Sequence, residues 1–224
     1  MHDAPLTLAR APGVHGEVAV RRRQDGDESV YELIVNGVFL MDTTETSTER
    51  MLADVLLDRH PAPRRVLVGG LGFGTTARTL LTDVRVEQIH VVEIEPMLVE
   101  WMRGGMIPGI DTVLADPRVR LTVGNVLDEV GVAEPGSYDG ILLDVDNGPG
   151  FLVHSDNAAV YERPALESAR DALAGGGMLA VWSADPAPQL RDALSDVLGA
   201  YVELDKTVIR SGREVTYHLY LATK

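Results

Sequence analysis

The stretch from Arg65 to Leu81 constrains this chain more than any other. Val66-Leu67-Val68 reads as a buried strand, Gly69-Gly70-Leu71-Gly72-Phe73-Gly74 as a glycine-rich loop, and Thr75 to Leu81 as a helix. Glycines between a strand and a helix let the backbone turn tightly and approach a ligand closely. The alternation continues downstream. Ile89 to Val92 is a second strand ending at Glu93, and Pro96 opens a helix running to Met102, since proline suits the first helical turn. Val119–Val123, Tyr138–Leu143 (ending at Asp144) and Met178–Trp182 read as further strands, with helices over 157–173 and 188–198. The first of these helices is expected to stop at Gly175-Gly176-Gly177. Strands alternating with helices imply an α/β fold with a mostly parallel sheet and right-handed crossovers. Ligands bind such sheets at the carboxyl ends of the strands, near the switch in strand order. A hairpin from Val202–Ile209 through Ser211-Gly212 to Val215–Ala222 closes the chain.

The region ahead of this pattern reads differently. Residues 1–15 carry two prolines and little periodicity, and a loose arm is expected there. Gly16–Arg23, a turn at Gln24–Glu28, Tyr31–Val35, an Asn36-Gly37 hairpin turn and Val38–Met41 suggest a small antiparallel unit. A helix then starts at Thr46 or Ser47, with Met51, Leu52, Val55 and Leu56 as its apolar stripe. Pro61-Ala62-Pro63 marks a boundary between an N-terminal β unit with its helix (1–60) and a nucleoside-binding domain (61–224).

Composition narrows the function classes. The chain has no cysteine, which removes disulfides, thiol catalysis and Cys-ligated metal. Its six histidines show no metal-like spacing, so no metal is expected. A formal net charge of −14 disfavours nucleic acid and is compatible with a cationic substrate such as an amine, with acidity that only aids solubility as the plainer reading. No apolar run approaches the roughly 20 residues of a membrane span, and the N-terminus lacks the features of a signal peptide. The expectation is a cytoplasmic protein with a small-molecule or peptide substrate, no nucleic-acid partner and no membrane partner. The exposed edge of the N-terminal hairpin suggests a homodimer.

The candidate site residues follow from their positions. Gly70-x-Gly72-x-Gly74 lacks the six-residue spacing of a dinucleotide loop, and no Walker lysine follows it. A nucleoside without a pyrophosphate fits better. Glu93 lies about twenty residues on, where an acid can accept both ribose hydroxyls. Asp144 and Asp146 fall on one face if the fourth strand continues. Either could accept a proton from a substrate amine or hold it by charge-assisted hydrogen bonds. A turn at Asp146–Pro149, with Asp144 as a helix cap, is the plainer alternative. His154 in the following loop, Tyr161 and Trp182 are candidates for pocket lining, with a structural role as the alternative for each.

Four segments together resemble the spermidine synthase family of class I S-adenosylmethionine (SAM)-dependent transferases. They are Val66–Thr75, Val91-Val92-Glu93-Ile94-Glu95, Asp116-Pro117-Arg118-Val119 and Tyr138–Asp144. The resemblance implies the Rossmann-like class I methyltransferase fold. It also implies a cofactor site made by Gly70, Leu71, Gly72, Phe73, Gly74, Glu93 on the ribose, Ile94 on the adenine, Asn125 and Val126 at the adenine edge, and Asp144. Asn125 could equally be a simple turn residue.

Three positions depart from the family pattern. The family loop carries an Asp that engages the amine of decarboxylated SAM, and this loop has none. The tyrosine of the family's Tyr-His-Glu-Met-Leu helix is Thr48, within Thr48-Glu49-Arg50-Met51-Leu52. The second Asp of the family's Asp-Ser-Ser-Asp falls at Asn147, and an amide cannot act as a carboxylate base. These departures favour a SAM-dependent methyltransferase acting on a small molecule or peptide, with Asp144, Asp146 and Asn147 at the reacting end. The alternatives are an aminopropyltransferase using decarboxylated SAM and a polyamine, with Asp146 replacing the lost carboxylate, and a non-catalytic nucleoside-binding or scaffold protein.

Overall fold

A computed structural model describes residues 4–145, 147–149, 152, 155–210 and 212–224. The chain opens with four antiparallel strands, β1 (Leu6–Gly13), β2 (Gly16–Asp25), β3 (Glu28–Val35) and β4 (Val38–Asp42), paired in that order. Asn36 and Gly37 both take positive φ, 51° and 75°, between β3 and β4. That conformation matches the twist of the flanking strands. The expected loose arm is a strand instead, registered on β2 from Leu6 opposite Arg22 to Gly13 opposite Gly16. Pro12 does not prevent it because β1 is the edge of its sheet, the place in a sheet that tolerates proline.

The rest of the chain runs α1 (Ser47–Arg59), β5 (Arg65–Gly69), α2 (Thr75–Leu80), β6 (Gln88–Glu93), α3 (Pro96–Arg103), α4 (Ile110–Leu114), β7 (Val119–Val123), α5 (Val126–Gly131), β8 (Tyr138–Leu143), a 3-10 segment (Ser155–Tyr161), α6 (Arg163–Ala172), β9 (Leu173–Ser183), α7 (Pro188–Leu198), β10 (Tyr201–Arg210) and β11 (Arg213–Thr223). These strands form one seven-stranded sheet in the order β10-β11-β9-β8-β5-β6-β7. The run from β9 to β7 is parallel, and β11 pairs antiparallel with both β9 and β10. This is the Rossmann-like arrangement with a closing hairpin. Among the described residues, no helix is long and apolar enough to cross a membrane.

Two further elements differ from the sequence reading. The helix expected over 157–173 is a 3-10 segment followed by α6, with Pro164 in the first turn of α6. The triple glycine does not simply end a helix, because β9 already begins at Leu173 and runs through it. Gly176 donates its N–H to the carbonyl of Lys224, and Lys224 donates to that of Gly177, which ties this stretch to the end of the chain. The short helices α4 and α5 carry no sequence signal of comparable strength.

Alternation along the buried strands sends successive side chains to opposite faces of the sheet. Val66, Val68, Ile89 and Val91 join one apolar cluster, and Leu67, Val92, Ile141 and Leu143 join the other. The first cluster also takes in Val18, Val20, Leu33 and Val35 from the N-terminal sheet and Leu52 and Leu56 from α1. Leu56 sits so close to Gly140 of β8 that a Cβ there would lie 2.4 Å from its Cδ2. The N-terminal sheet and α1 thus pack onto the face of the main sheet that they cover.

Candidate active site

Strand order switches between β5 and β8. The chain leaves β5 toward β6 on one side, and β8 pairs on the other. At that point Asp144 donates its N–H to the carbonyl of Gly69 at 2.9 Å, and Gly70 donates to the carbonyl of Val92 at 2.9 Å. Gly70 has φ 97°, and a Cβ on it would lie 2.2 Å from the carbonyl oxygen of Asp144. No other residue fits there.

The cavity over this switch point is lined by Gly70, Gly72, Glu93, Ile94, Asn125, Val126 and Asp144, all named from the sequence. Leu71 and Phe73 are placed otherwise, with their side chains buried in the apolar core. Gly74 takes φ 75° and caps α2. Asn125 is both a lining residue and a cap, its Oδ1 accepting the N–H of Leu127 at 2.9 Å. Trp182 lines the cavity too, stacked on Tyr217 at 5.1 Å, with its buried Nε1 lacking a hydrogen-bond partner among the described residues. Tyr161 stands just behind, its hydroxyl donating to the carbonyl of Val145 at 2.6 Å. Asn147 is not among the lining residues, and its carbonyl accepts the N–H of Ala184 at 2.9 Å. Asp146 and His154 lie outside the described residues.

Four carboxylates meet the cavity. Glu93 is buried, with Oε2 accepting the N–H of Leu71 at 2.8 Å and Oε1 that of Glu95 at 2.9 Å. It fixes the glycine loop against the strand end while keeping lone pairs for a ligand. Burial raises its pKa, and the backbone N–H groups oppose the rise. Asp144 is pushed up to about 8, first by burial and then by the charges of Glu49 and Glu93. Glu49, on α1, accepts the hydroxyl of Thr48 at 2.7 Å, and burial raises its pKa as well. Glu95 caps the turn between β1 and β2.

Glu49 and Glu95 were not singled out from the sequence. A usable signal existed for Glu49. It falls with Leu52, Ala53 and Leu56 on the buried side of α1, where an acid is out of place. Linear spacing also hid a cross-strand group away from this site. Glu203, Asp205 and His218 bring their ligand-type atoms within 4.8 Å of one another on the β10–β11 hairpin, where His218 pairs with Asp205 at 2.8 Å.

The spermine/spermidine synthase domain model matches residues 45–196. The chain belongs to the spermine/spermidine synthase family. Among curated relatives, spermidine synthase of Coffea arabica is 31% identical over 148 residues, covering 66% of this chain and 45% of that protein. The chain therefore spans less than half the length of that relative. Among solved structures, spermidine synthase from Thermotoga maritima superposes with a TM-score of 0.81 at 19% identity, covering 98% of this chain and 73% of that one. A spermidine synthase in complex with the transition state analogue AdoDATO gives a TM-score of 0.81 at 19% identity, over 98% of this chain and 74% of that one.

These findings overturn the methyltransferase expectation, because the matching family and relatives are spermidine synthases. A Gly-x-Gly-x-Gly turn holds a nucleoside whichever group is transferred, so it could not select methyl transfer.

Proposed function

We propose that this chain is an aminopropyltransferase that takes decarboxylated SAM and an amine acceptor of the polyamine class. One observation carries this reading. The lining contains Glu49, Glu93, Glu95 and Asp144 and, among the described residues, no Lys or Arg. Intact SAM would bring a carboxylate into a buried acidic pocket, where like charges repel strongly. Decarboxylated SAM brings a sulfonium and an ammonium, both cations. Membership in the spermine/spermidine synthase family supports the same reading.

In the proposed reaction the acceptor nitrogen attacks the aminopropyl carbon bonded to sulfur. The carbon–sulfur bond breaks, and its electron pair stays on sulfur to give the neutral thioether methylthioadenosine. The new carbon–nitrogen bond leaves a proton to be lost from nitrogen. A carboxylate raised toward neutrality is suited to accept it, and Asp144 is such a group. Asn147, an amide, cannot. Glu93 would hold the ribose hydroxyls through its remaining lone pairs.

The test is calorimetric titration with decarboxylated SAM and with SAM, followed by mass spectrometry of reactions supplied with putrescine or spermidine. Tighter binding of decarboxylated SAM, with methylthioadenosine and an aminopropylated amine as products, is the expected result. Tighter binding of SAM, or binding of neither by folded protein, would sink the proposal. Binding of decarboxylated SAM without any product would favour a nucleoside-binding protein that has lost turnover, a reading that Asn147 motivates.

A further inference from the structure

The glycine loop offers no acid to a bound cation. Its two larger side chains, Leu71 and Phe73, are packed in the core, and Gly70 and Gly72 present only backbone to the cavity. Beside it, where Thr76 at the start of α2 donates its hydroxyl to the Glu49 carbonyl at 3.3 Å, α1 carries a carboxylate on its buried side. Glu49 is 6% exposed and lines the same cavity as Asp144 and Trp182. Among the described residues it makes no ion pair, and Thr48 supplies a hydroxyl to one of its oxygens. Burial is the largest influence on it and raises its pKa, while the Thr48 hydrogen bond and, after it, the charge of Arg210 lower it. A buried carboxylate without a cation is costly, and in a cavity such a group marks a ligand contact. The charge of Glu49 also helps keep the proton on Asp144, so the two acids are electrostatic neighbours.

We propose that Glu49 is the specificity-determining counter-ion for the primary ammonium of the transferred aminopropyl group, supplied by α1 because the loop has no acid. The inference rests on the aminopropyltransferase reading and assigns its cofactor selectivity to one side chain. It places the ammonium on the α1 side of the cavity and leaves Asp144 for the acceptor amine. The charge of Glu49 would at the same time exclude a cofactor that still carries its carboxylate.

The probes are decarboxylated SAM and its S-propyl sulfonium analogue, which keeps the positive sulfur and lacks the amine. Wild-type protein is expected to prefer decarboxylated SAM by about 10- to 100-fold, the range of a charge-assisted hydrogen bond. Glu49→Gln, which keeps shape and removes charge, should erase most of that preference while binding the S-propyl analogue within about twofold of wild type. Glu49→Met, which suits the buried stripe of α1, is the second variant in case the amide does not fold. An undiminished preference in a folded variant, or equal weakening toward both probes, would overturn the role of Glu49 and leave the aminopropyltransferase reading standing. Failure of wild type to bind decarboxylated SAM would overturn both.

Discussion

Glu95 holds Val14: its Oε2 accepts the Val14 N–H at 2.8 Å, while Oε1 accepts the neighbouring His15 N–H at 3.2 Å. One carboxylate at the start of α3 thus pins the tip of the β1–β2 hairpin, which is how His15 and Val18 come to line the cavity. The fit is tight, since a Cβ on Gly13 would lie 2.2 Å from Glu95 Oε2.

Glu95→Ala should therefore free the hairpin tip. Two backbone donors lose a charged acceptor, which costs about 1–3 kcal/mol where they are shielded from water. The expected outcome is a lower urea midpoint, weaker nucleoside binding, and faster hydrogen exchange at Val14 and His15. Unchanged exchange at those two amides would show that the hairpin is held by other contacts.

Glu93→Gln tests the loop itself. The carboxylate accepts from Leu71 through one oxygen and from Glu95 through the other. An amide has a single acceptor oxygen, so one buried N–H is left unpaired at about 1–3 kcal/mol. Denaturant unfolding should register that loss, and nucleoside affinity should fall along with it. A variant with full stability and weakened binding would mean that the acid serves the ligand alone.

How much of this was legible beforehand follows from the range of each interaction. The glycine loop and Glu93 lie within one βαβ unit, so spacing along the chain located them. Asp116-Pro117-Arg118-Val119 was equally visible, yet it is structural. Arg118 donates to the carbonyl of Leu81 at 3.0 Å and pairs with Asp116, tying the start of β7 to the end of α2. What stayed hidden depends on contacts between distant segments. The strand β1 exists because β2 pairs with it, and Pro12 obscured that pairing. Glu49 and Asp144 come to line one cavity only when α1 packs against α2, β8 and β9. The missing loop acid, Thr48 and Asn147 together led to methyl transfer, which the family match overturns.

His90 offers a pH test away from the cavity. Its Nδ1 lies 3.0 Å from the Tyr138 hydroxyl of β8 and its Nε2 lies 2.9 Å from Thr122 Oγ1 of β7, with β5 between β8 and β6. Burial lowers its pKa, Arg120 lowers it further, and Glu129 opposes both. With the folded value below the unfolded one of about 6.5, its contribution to stability is complete above that value. It is lost as pH falls through the folded pKa. Urea midpoints should thus fall on acidification in an Asp144→Asn background, where the opposing effect of Asp144 is removed. His90→Gln in that background should flatten the slope.

Asp144 gives the opposite sign, and it links pH to binding. Its folded pKa of about 8 exceeds the unfolded value. Between about pH 4 and pH 8 the native state therefore holds a proton that the unfolded chain has released. The stability it contributes is fully present below the unfolded pKa and declines as pH rises toward 8, an effect on the order of a few kcal/mol. A dicationic ligand reverses the preference, because neighbouring positive charge favours the carboxylate. Binding of decarboxylated SAM at pH 7 should then expel about one proton. Affinity should rise by up to about tenfold per pH unit until about pH 8, and level off above it. Calorimetry in buffers of different ionisation enthalpy measures the proton count directly. Asp144→Asn should reduce both the proton release and the pH slope. Wild-type binding without proton release at pH 7 would mean that Asp144 is already ionised in the empty site, and the acid wall would then be charged before the cation arrives.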